Sequence, residues 1–409
     1  MSLNATPRGD RVHIALFGRR NAGKSSIINS ITNQDIALVS SVKGTTTDPV
    51  YKAMELLPIG PIVIIDTAGL DDSGELGSLR KKKTYEVLNK TDIAILVIDA
   101  TQGVTEFDKN ILKEINNKNL PVIGVLNKVD VGLDINVSES EEKLGIKLIS
   151  VSTISKTGIE DVKLELIKKT PDDMGKYKLV GDLINPGDFI VLVTPIDTAA
   201  PKGRMILPQQ QVIRDVIDAD AIAIVTKETE LKETLENIGK KPAMVITDSQ
   251  AFSKVSKETP EDILLTSFSI LFARYKGDLL SMVEGAKTLE KLKDGDKILI
   301  SEGCTHHRQT DDIGTVKMPR WISEYTGENL TFEFSSGMKY PDNLNEYSLV
   351  VHCGGCMLNK KEMLYRINES KLKEIPIVNY GVLIAYMKGI LKRAVKPFPE
   401  VEMLLEDKD

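Results

Sequence analysis

GRRNAGKS (residues 18–25) lies between an apolar run, VHIALFG (12–18), and a segment of helical character, KSSIINSIT (24–32). The spacing G-x-x-x-x-G-K-[ST] marks a phosphate-cradling loop when a strand precedes it and a helix follows. Gly18 and Gly23 let backbone N–H groups face a phosphate without side-chain obstruction. Lys24 supplies a point charge to the β- and γ-phosphates, Ser25 offers an oxygen to Mg2+, and Ser26 belongs to the same nucleotide-binding set. The helix N-terminus adds its dipole. A glycine-rich turn without a ligand is the competing reading, and the flanking sequence decides between the two.

IVIIDTAG (62–69), DIAILVIDA (92–100), LPVIGVLNKVD (120–130) and KLISVST (147–153) are β-branched runs that end in polar or glycine residues. Buried parallel strands read this way. With helical stretches between them they predict a doubly wound α/β domain over 1–172, its ligand loops at the strand C-termini. Asp66 is placed for the Mg2+ shell, and Gly69 is free to turn its N–H toward a γ-phosphate. Asp130 can accept hydrogen bonds from the N1–H and N2 amino group of guanine; adenine offers neither donor, and the unpaired carboxylate rejects it. Asn127 can tether the phosphate loop, the Lys128 stem can lie over the base, and the Ser152-Thr153 backbone can meet the guanine O6. GTTTD (44–48) makes Thr46 the candidate Mg2+-binding threonine of a switch loop.

These elements, in this order, resemble the translation-factor-like GTPases, particularly the tRNA-modification and ribosome-assembly branch. The expected catalytic set is Lys24, Thr46, Asp66 and Gly69, acting on GTP to give GDP with Mg2+. Leu70 stands where many GTPases carry a water-positioning glutamine, so Glu75 or a partner residue would have to orient the water. Asn21 resembles the asparagine that, in similar GTPases, accompanies a K+ ion bridging the phosphates; a plain loop-stabilising asparagine is the alternative.

The chain has 409 residues, 41% of them hydrophobic and 27% charged, which is ordinary globular composition for two or three domains. A net charge of −6 argues against nucleic acid as a partner. There is no secretory apolar region and no bilayer-spanning run, so a cytoplasmic location and no membrane partner are expected. A polar stretch, KKTPDDMGKYKLVGDLINPGD (168–188), reads as a linker. A small α/β domain over 180–258 follows, with strands FIVLVTPID (189–197), AIAIVTK (221–227) and PAMVITDS (242–249) separated by two helices. So small a sheet buries little, and a partner subunit or domain is expected to cover an edge. A third α/β unit spans 261–409. It opens with two helices over 264–292 and continues with strands KILISEGC (297–304), LTFEFSSG (330–337) and YSLVVHC (347–353). A closing core helix, GVLIAYMKGILKRAV (381–395), ends it.

The three cysteines and three of the four histidines fall in this last unit. Cys353 and Cys356 form a C-x-x-C at a strand end, where both thiolates can converge on one ion. Cys304 ends another strand, and if the two strands are neighbours three thiolates meet. Disulfides are disfavoured in a reducing cytosol. Buried structural thiols, a Cys3His zinc site and an iron–sulfur cluster on three cysteines all remain open on the residues alone.

Cys304-Thr305-His306 and His352-Cys353-Gly354-Gly355-Cys356, set behind a GTPase domain, resemble the signature of the [FeFe]-hydrogenase maturation GTPases along the whole chain. The resemblance implies a scaffold and carrier holding a [4Fe–4S] cluster on Cys304, Cys353 and Cys356, with His306 and His352 as further ligands or cargo contacts. The fourth position is open among His306, His307, His352, Glu302 and an exogenous group. The resemblance also implies a transient di-iron cargo made by radical-SAM maturases and delivered to apo-[FeFe]-hydrogenase. It implies a homodimer through the middle domain, with a higher oligomer open, and slow GTP hydrolysis that gates partner exchange. The alternative is a zinc-containing regulatory GTPase of RNA modification or ribosome assembly, which would want a basic surface.

Overall fold

The computed structural model describes residues 6–32, 49–67, 75–131, 136–170, 178–195, 205–303, 312–337 and 340–406. The chain divides after Asp172 into two compact units. Thr46, Gly69, Leu70, Cys304, His306 and His307 lie outside the described residues.

The first unit is built on strands β1 (Val12–Phe17), β2 (Val50–Leu56), β3 (Gly60–Asp66), β4 (Ile93–Asp99), β5 (Val122–Asn127) and β6 (Leu148–Val151). They form one six-stranded sheet in the order β2-β3-β1-β4-β5-β6. All pairings are parallel except β2 with β3. β1 and β4 are buried along their whole length because helices cover both faces. Ile14 and Leu16 face Ile27, Ile31 and Val162 on one side, and Ala15 and Phe17 face Val87, Ile111 and Ile115 on the other. The expected strands appear here; β2 is an addition. It is an antiparallel edge strand with mostly exposed or half-buried residues, so it shows no buried apolar run to read.

The second unit holds two sheets of four parallel strands each. One is made of β7 (Phe189–Val193), β8 (Ile222–Thr226), β9 (Met244–Thr247) and β10 (Leu264–Ser267), in the order β10-β9-β7-β8. The other is made of β11 (Lys297–Glu302), β12 (Thr331–Ser336), β13 (Leu349–His352) and β14 (Ile377–Asn379), in the order β12-β11-β13-β14. A single hydrophobic core runs through both, from Val191 and Met244 through Phe252, Leu271 and Phe272 to Ile298, Val350 and Leu383.

Two expectations change here. LLTS at 264–267 is a strand rather than the start of a helix. The helix begins at Phe268, where the Ser267 Oγ accepts the Ile270 N–H at 3.2 Å as an N-cap. β10 therefore completes the middle sheet with a fourth strand, and the expected break at 258–261 falls inside one continuous core. The closing helix is two helices, Tyr380–Met387 and Leu391–Val395, parted near Gly389, whose φ of +69° ends the first. At the free edge of the middle sheet β8 leaves Ile222 and Val225 45% and 46% exposed. Among the described residues no helix is long and apolar enough to cross a membrane.

Candidate functional sites

The nucleotide loop sits at the C-terminal end of β1, between its neighbours β3 and β4. Gly18 has φ +150°, and a Cβ there would come 2.3 Å from the Val97 carbonyl oxygen on β4. Gly23 has φ +91°, and a Cβ there would come 2.1 Å from Asn127 Nδ2. These glycines are needed both for their dihedrals and for the close approach of two neighbouring strand ends. Asn21 adopts φ +59° and is exposed at the loop crest.

Lys24 is buried, and its Nζ donates to the Gly18 and Arg19 carbonyls at 2.8 and 2.9 Å. The ammonium is thus folded back over the loop that would carry phosphate. Ser25 Oγ donates to Asp66 Oδ2 at 2.6 Å, so the two expected Mg2+ groups touch directly. Burial raises the Asp66 carboxyl above its ordinary range, against the opposing pull of Ser25 and Lys24. A bound divalent cation would reverse that balance by favouring the carboxylate.

Asn127 ends β5 and donates from Nδ2 to the Ala22 carbonyl at 2.9 Å, tying the base-recognition strand to the phosphate loop. Lys128 follows with φ +68° and donates to Asp99 Oδ2 at 2.6 Å. Burial pushes the Asp99 carboxyl up, but the hydrogen bonds from Lys128 and Thr101 outweigh it and leave it below its ordinary value. Asp99 was not singled out from the sequence. Asp130 lies exposed in the turn Val129–Val131. Ser152 is buried, its N–H donating to the Thr157 carbonyl at 3.1 Å and its Oγ accepting the Ser155 N–H at 3.1 Å. Thr153 is half-buried beside it. Ser26 occupies the first turn of the Lys24–Thr32 helix.

The second site is the turn after β13. β11 and β13 are adjacent parallel strands with Ser301 opposite His352, so Gly303 and Cys353 leave the sheet side by side. The Cys353 N–H donates to the Ser301 carbonyl at 2.9 Å. Its Sγ accepts the Gly303 N–H at 3.1 Å and the Gly355 N–H at 3.4 Å. Gly303 is the residue directly before Cys304 in the chain. Gly355 takes φ +64°, which turns the chain between the two cysteines. Burial pushes the Cys353 thiol up to about 11, with Cys356 nearby adding to the rise and the Gly303 N–H opposing it. Glu302, 5% exposed at the end of β11, accepts from the Tyr380 hydroxyl at 3.5 Å.

His352 is fully buried. Its Nε2 lies 3.0 Å from Arg366 Nη1, and its Nδ1 lies 2.7 Å from the Cys353 carbonyl. Burial and the Arg366 charge push the ring pKa down to about 3, so the imidazole is neutral. Both ring nitrogens are thus engaged with protein groups. Arg366, also fully buried, donates from Nε to Glu362 at 3.0 Å and from Nη2 to the Gly337 carbonyl at 2.8 Å. Among the described residues no group of three or more His, Cys, Asp or Glu side chains is gathered for a metal.

Family models place the chain. The hydrogen maturase F dimerization domain matches residues 179–277, and the hydrogen maturase F tetramerization domain matches residues 280–397. The chain belongs to the hydrogen maturase F family. Its first unit is a P-loop GTPase domain, matched over residues 13–128 by a model described as 50S ribosome-binding GTPase. The dimerization and tetramerization domains are those of a self-associating protein. The tRNA modification GTPase MnmE of Aquifex aeolicus is 33% identical over 159 residues, covering 39% of this chain and 34% of that protein. MnmE of Thermoanaerobacter sp. (strain X514) is 37% identical over 152 residues, 36% of this chain and 32% of that protein. The chain thus spans about a third of the length of these relatives, and the likeness is confined to the GTPase domain. Among solved structures, Era of Aquifex aeolicus bound to GDP.AlF4- has a TM-score of 0.36 at 19% identity, covering 56% of this chain and 98% of that one.

Proposed function

We propose that this hydrogen maturase F family member is a slow GTP-hydrolysing, cytoplasmic scaffold that holds an iron–sulfur cluster and passes a di-iron cargo to apo-[FeFe]-hydrogenase. In the first unit Lys24, Ser25 and Asp66 bind the phosphates and Mg2+, with Thr46 and Gly69 on the switch segments; Asn127, Lys128, Asp130, Ser152 and Thr153 select guanine. Asn21, at the crest of the loop, would hold a K+ ion beside the phosphates, and K+ would stimulate turnover.

The observation that carries the scaffold reading is the contact between Gly303 N–H and Cys353 Sγ at 3.1 Å, inside a hydrogen maturase F domain. It brings the segment leading to Cys304 against the Cys353–Cys356 turn. The donor set fits a cluster: sulfur ligands on a glycine-bearing turn, with backbone N–H groups already aimed at Cys353 Sγ. Cys304, Cys353 and Cys356 would hold it, and bound iron would favour the thiolate forms. When bound, the cluster would supply an iron with a position open to the cargo. His352 supports this site rather than ligating it, because both its nitrogens already have partners. His306, His307, Glu302 and an exogenous group remain for the fourth position. The radical-SAM maturases would load the cargo, and GTP hydrolysis would gate their exchange with the hydrogenase.

The test is activation of apo-hydrogenase by wild type, Cys353→Ala and Lys24→Ala. The cysteine variant should bind no cluster and fail to activate. Lys24→Ala should hydrolyse GTP about 100-fold or more slowly while keeping the cluster. Normal activation by Cys353→Ala would overturn the scaffold reading.

A further inference from the structure

Two buried bases lie beneath the Cys353–Cys356 turn, and each reaches the main-chain carbonyl of one of the two cysteines. Lys276 closes the helix Phe268–Lys276 and is 1% exposed. Its Nζ donates to the Cys356 carbonyl at 3.1 Å and the Leu358 carbonyl at 2.9 Å, and it sits 5.5 Å from the centroid of the Phe272 ring. On the other side stands His352. A guanidinium can only donate, so Nε2, 3.0 Å from Arg366 Nη1, must be the accepting nitrogen. The proton therefore sits on Nδ1, which donates to the Cys353 carbonyl at 2.7 Å. Arg366 is held in turn by Glu362 and the Gly337 carbonyl, so the tautomer is fixed from the helix Lys360–Leu372.

We propose that Lys276 and the Arg366–His352 pair are positioning residues that clamp the two cysteine carbonyls from below, presetting the thiolate turn for a cluster. This rests on the cluster reading above and extends it to groups that touch no iron. Burying a lysine and an arginine costs several kcal/mol each unless they are paired. Here Lys276 is anchored by the Cys356 and Leu358 carbonyls, and Arg366 by Glu362, the Gly337 carbonyl and His352. Supporting partners around a metal site commonly change affinity by about 10–100-fold when removed.

The test uses the full-length chain, reconstituted anaerobically with iron and sulfide. It compares wild type, Lys276→Met, Lys276→Arg, His352→Asn and His352→Gln. Readouts are iron retained against a chelator, the paramagnetic spectrum of the reduced cluster and its midpoint potential. Asn keeps a donor where Nδ1 stood; Gln keeps only the Nε2 position. His352→Asn should retain iron near wild type, and His352→Gln about tenfold less. Lys276→Met should lower the midpoint potential, because a nearby cation favours the reduced cluster, and Lys276→Arg should restore it. If Lys276→Met does not fold, the Asn and Gln variants decide the matter, since both lack the imidazole. Equal retention and unchanged potentials in all variants would overturn the clamp while leaving the cluster reading intact. A wild type that takes up no iron and sulfide would overturn the cluster reading and the clamp together.

Discussion

Asp130 sits exposed on a single turn and its side chain makes no hydrogen bond or ion pair among the described residues, so any selectivity it confers is expected to be expressed against the base itself. Asp130→Asn should weaken GTP binding roughly 10–100-fold, the cost of losing charged hydrogen bonds. It should also favour xanthine over guanine nucleotides, as calorimetry with both would reveal. Asp99 makes a different prediction. Its carboxyl is held below the ordinary 3.8 in the folded chain, chiefly by Lys128 and Thr101 acting against burial. A depressed carboxylate contributes stability that is present above the unfolded value and is lost as pH falls through the folded one. Asp99→Asn should therefore melt earlier than wild type at pH 7, and the gap should close below about pH 4. Melting curves across that range would check it. The phosphate-loop motif of the GTPase domain was legible because phosphate binding demands fixed residue types where a strand runs into a helix. Asp99 was not, because its partner is 29 residues away on the neighbouring strand end. Arg366 and Lys276 were hidden for another reason: Glu362 and Arg366, four apart in a polar helix, read like an exposed surface pair, yet both are buried.

Gly23 and Gly103 offer a matched comparison at the scale of the element. Both have positive φ, but a Cβ on Gly103 meets nothing within 4 Å, whereas one on Gly23 meets Asn127 at 2.1 Å. Alanine at either position pays a backbone cost of about 1 kcal/mol. Gly23→Ala must also part the phosphate loop from β5. It should abolish nucleotide binding, while Gly103→Ala should only lower the melting temperature; fluorescent-nucleotide titration and thermal melts separate the two. The parallel strands β1, β3, β4 and β5 could be read from sequence because burial on both faces leaves a continuous apolar run. β2 could not, since half of an edge strand faces water. β10 was misread because its four residues run straight into a helix capped by Ser267, with no glycine or proline at the junction to mark the change of state.

At the scale of the whole molecule, the core of the second unit is drawn entirely from residues 179–401. A chain of residues 173–409 should therefore fold cooperatively on its own, with a single sharp melt by circular dichroism. Its middle sheet still ends at β8, where Ile222 and Val225 are exposed. Open, apolar edges invite a second chain. Val225→Lys should weaken self-association about tenfold, equivalent to about 1.4 kcal/mol, and light scattering across a dilution series would detect it. The order of three functional regions was readable from composition shifts and motifs. The break drawn at 258–261 was misplaced, because a seam depends on which apolar residues meet across space. That has a practical consequence for anyone recombining maturases. A graft joined at residue 260 would hand β10 to one parent and β9 to the other, and each parent's surfaces would have to interdigitate with a stranger's. Only a transplant that starts in the 173–178 segment and carries everything after it keeps strand and neighbour from the same ancestor.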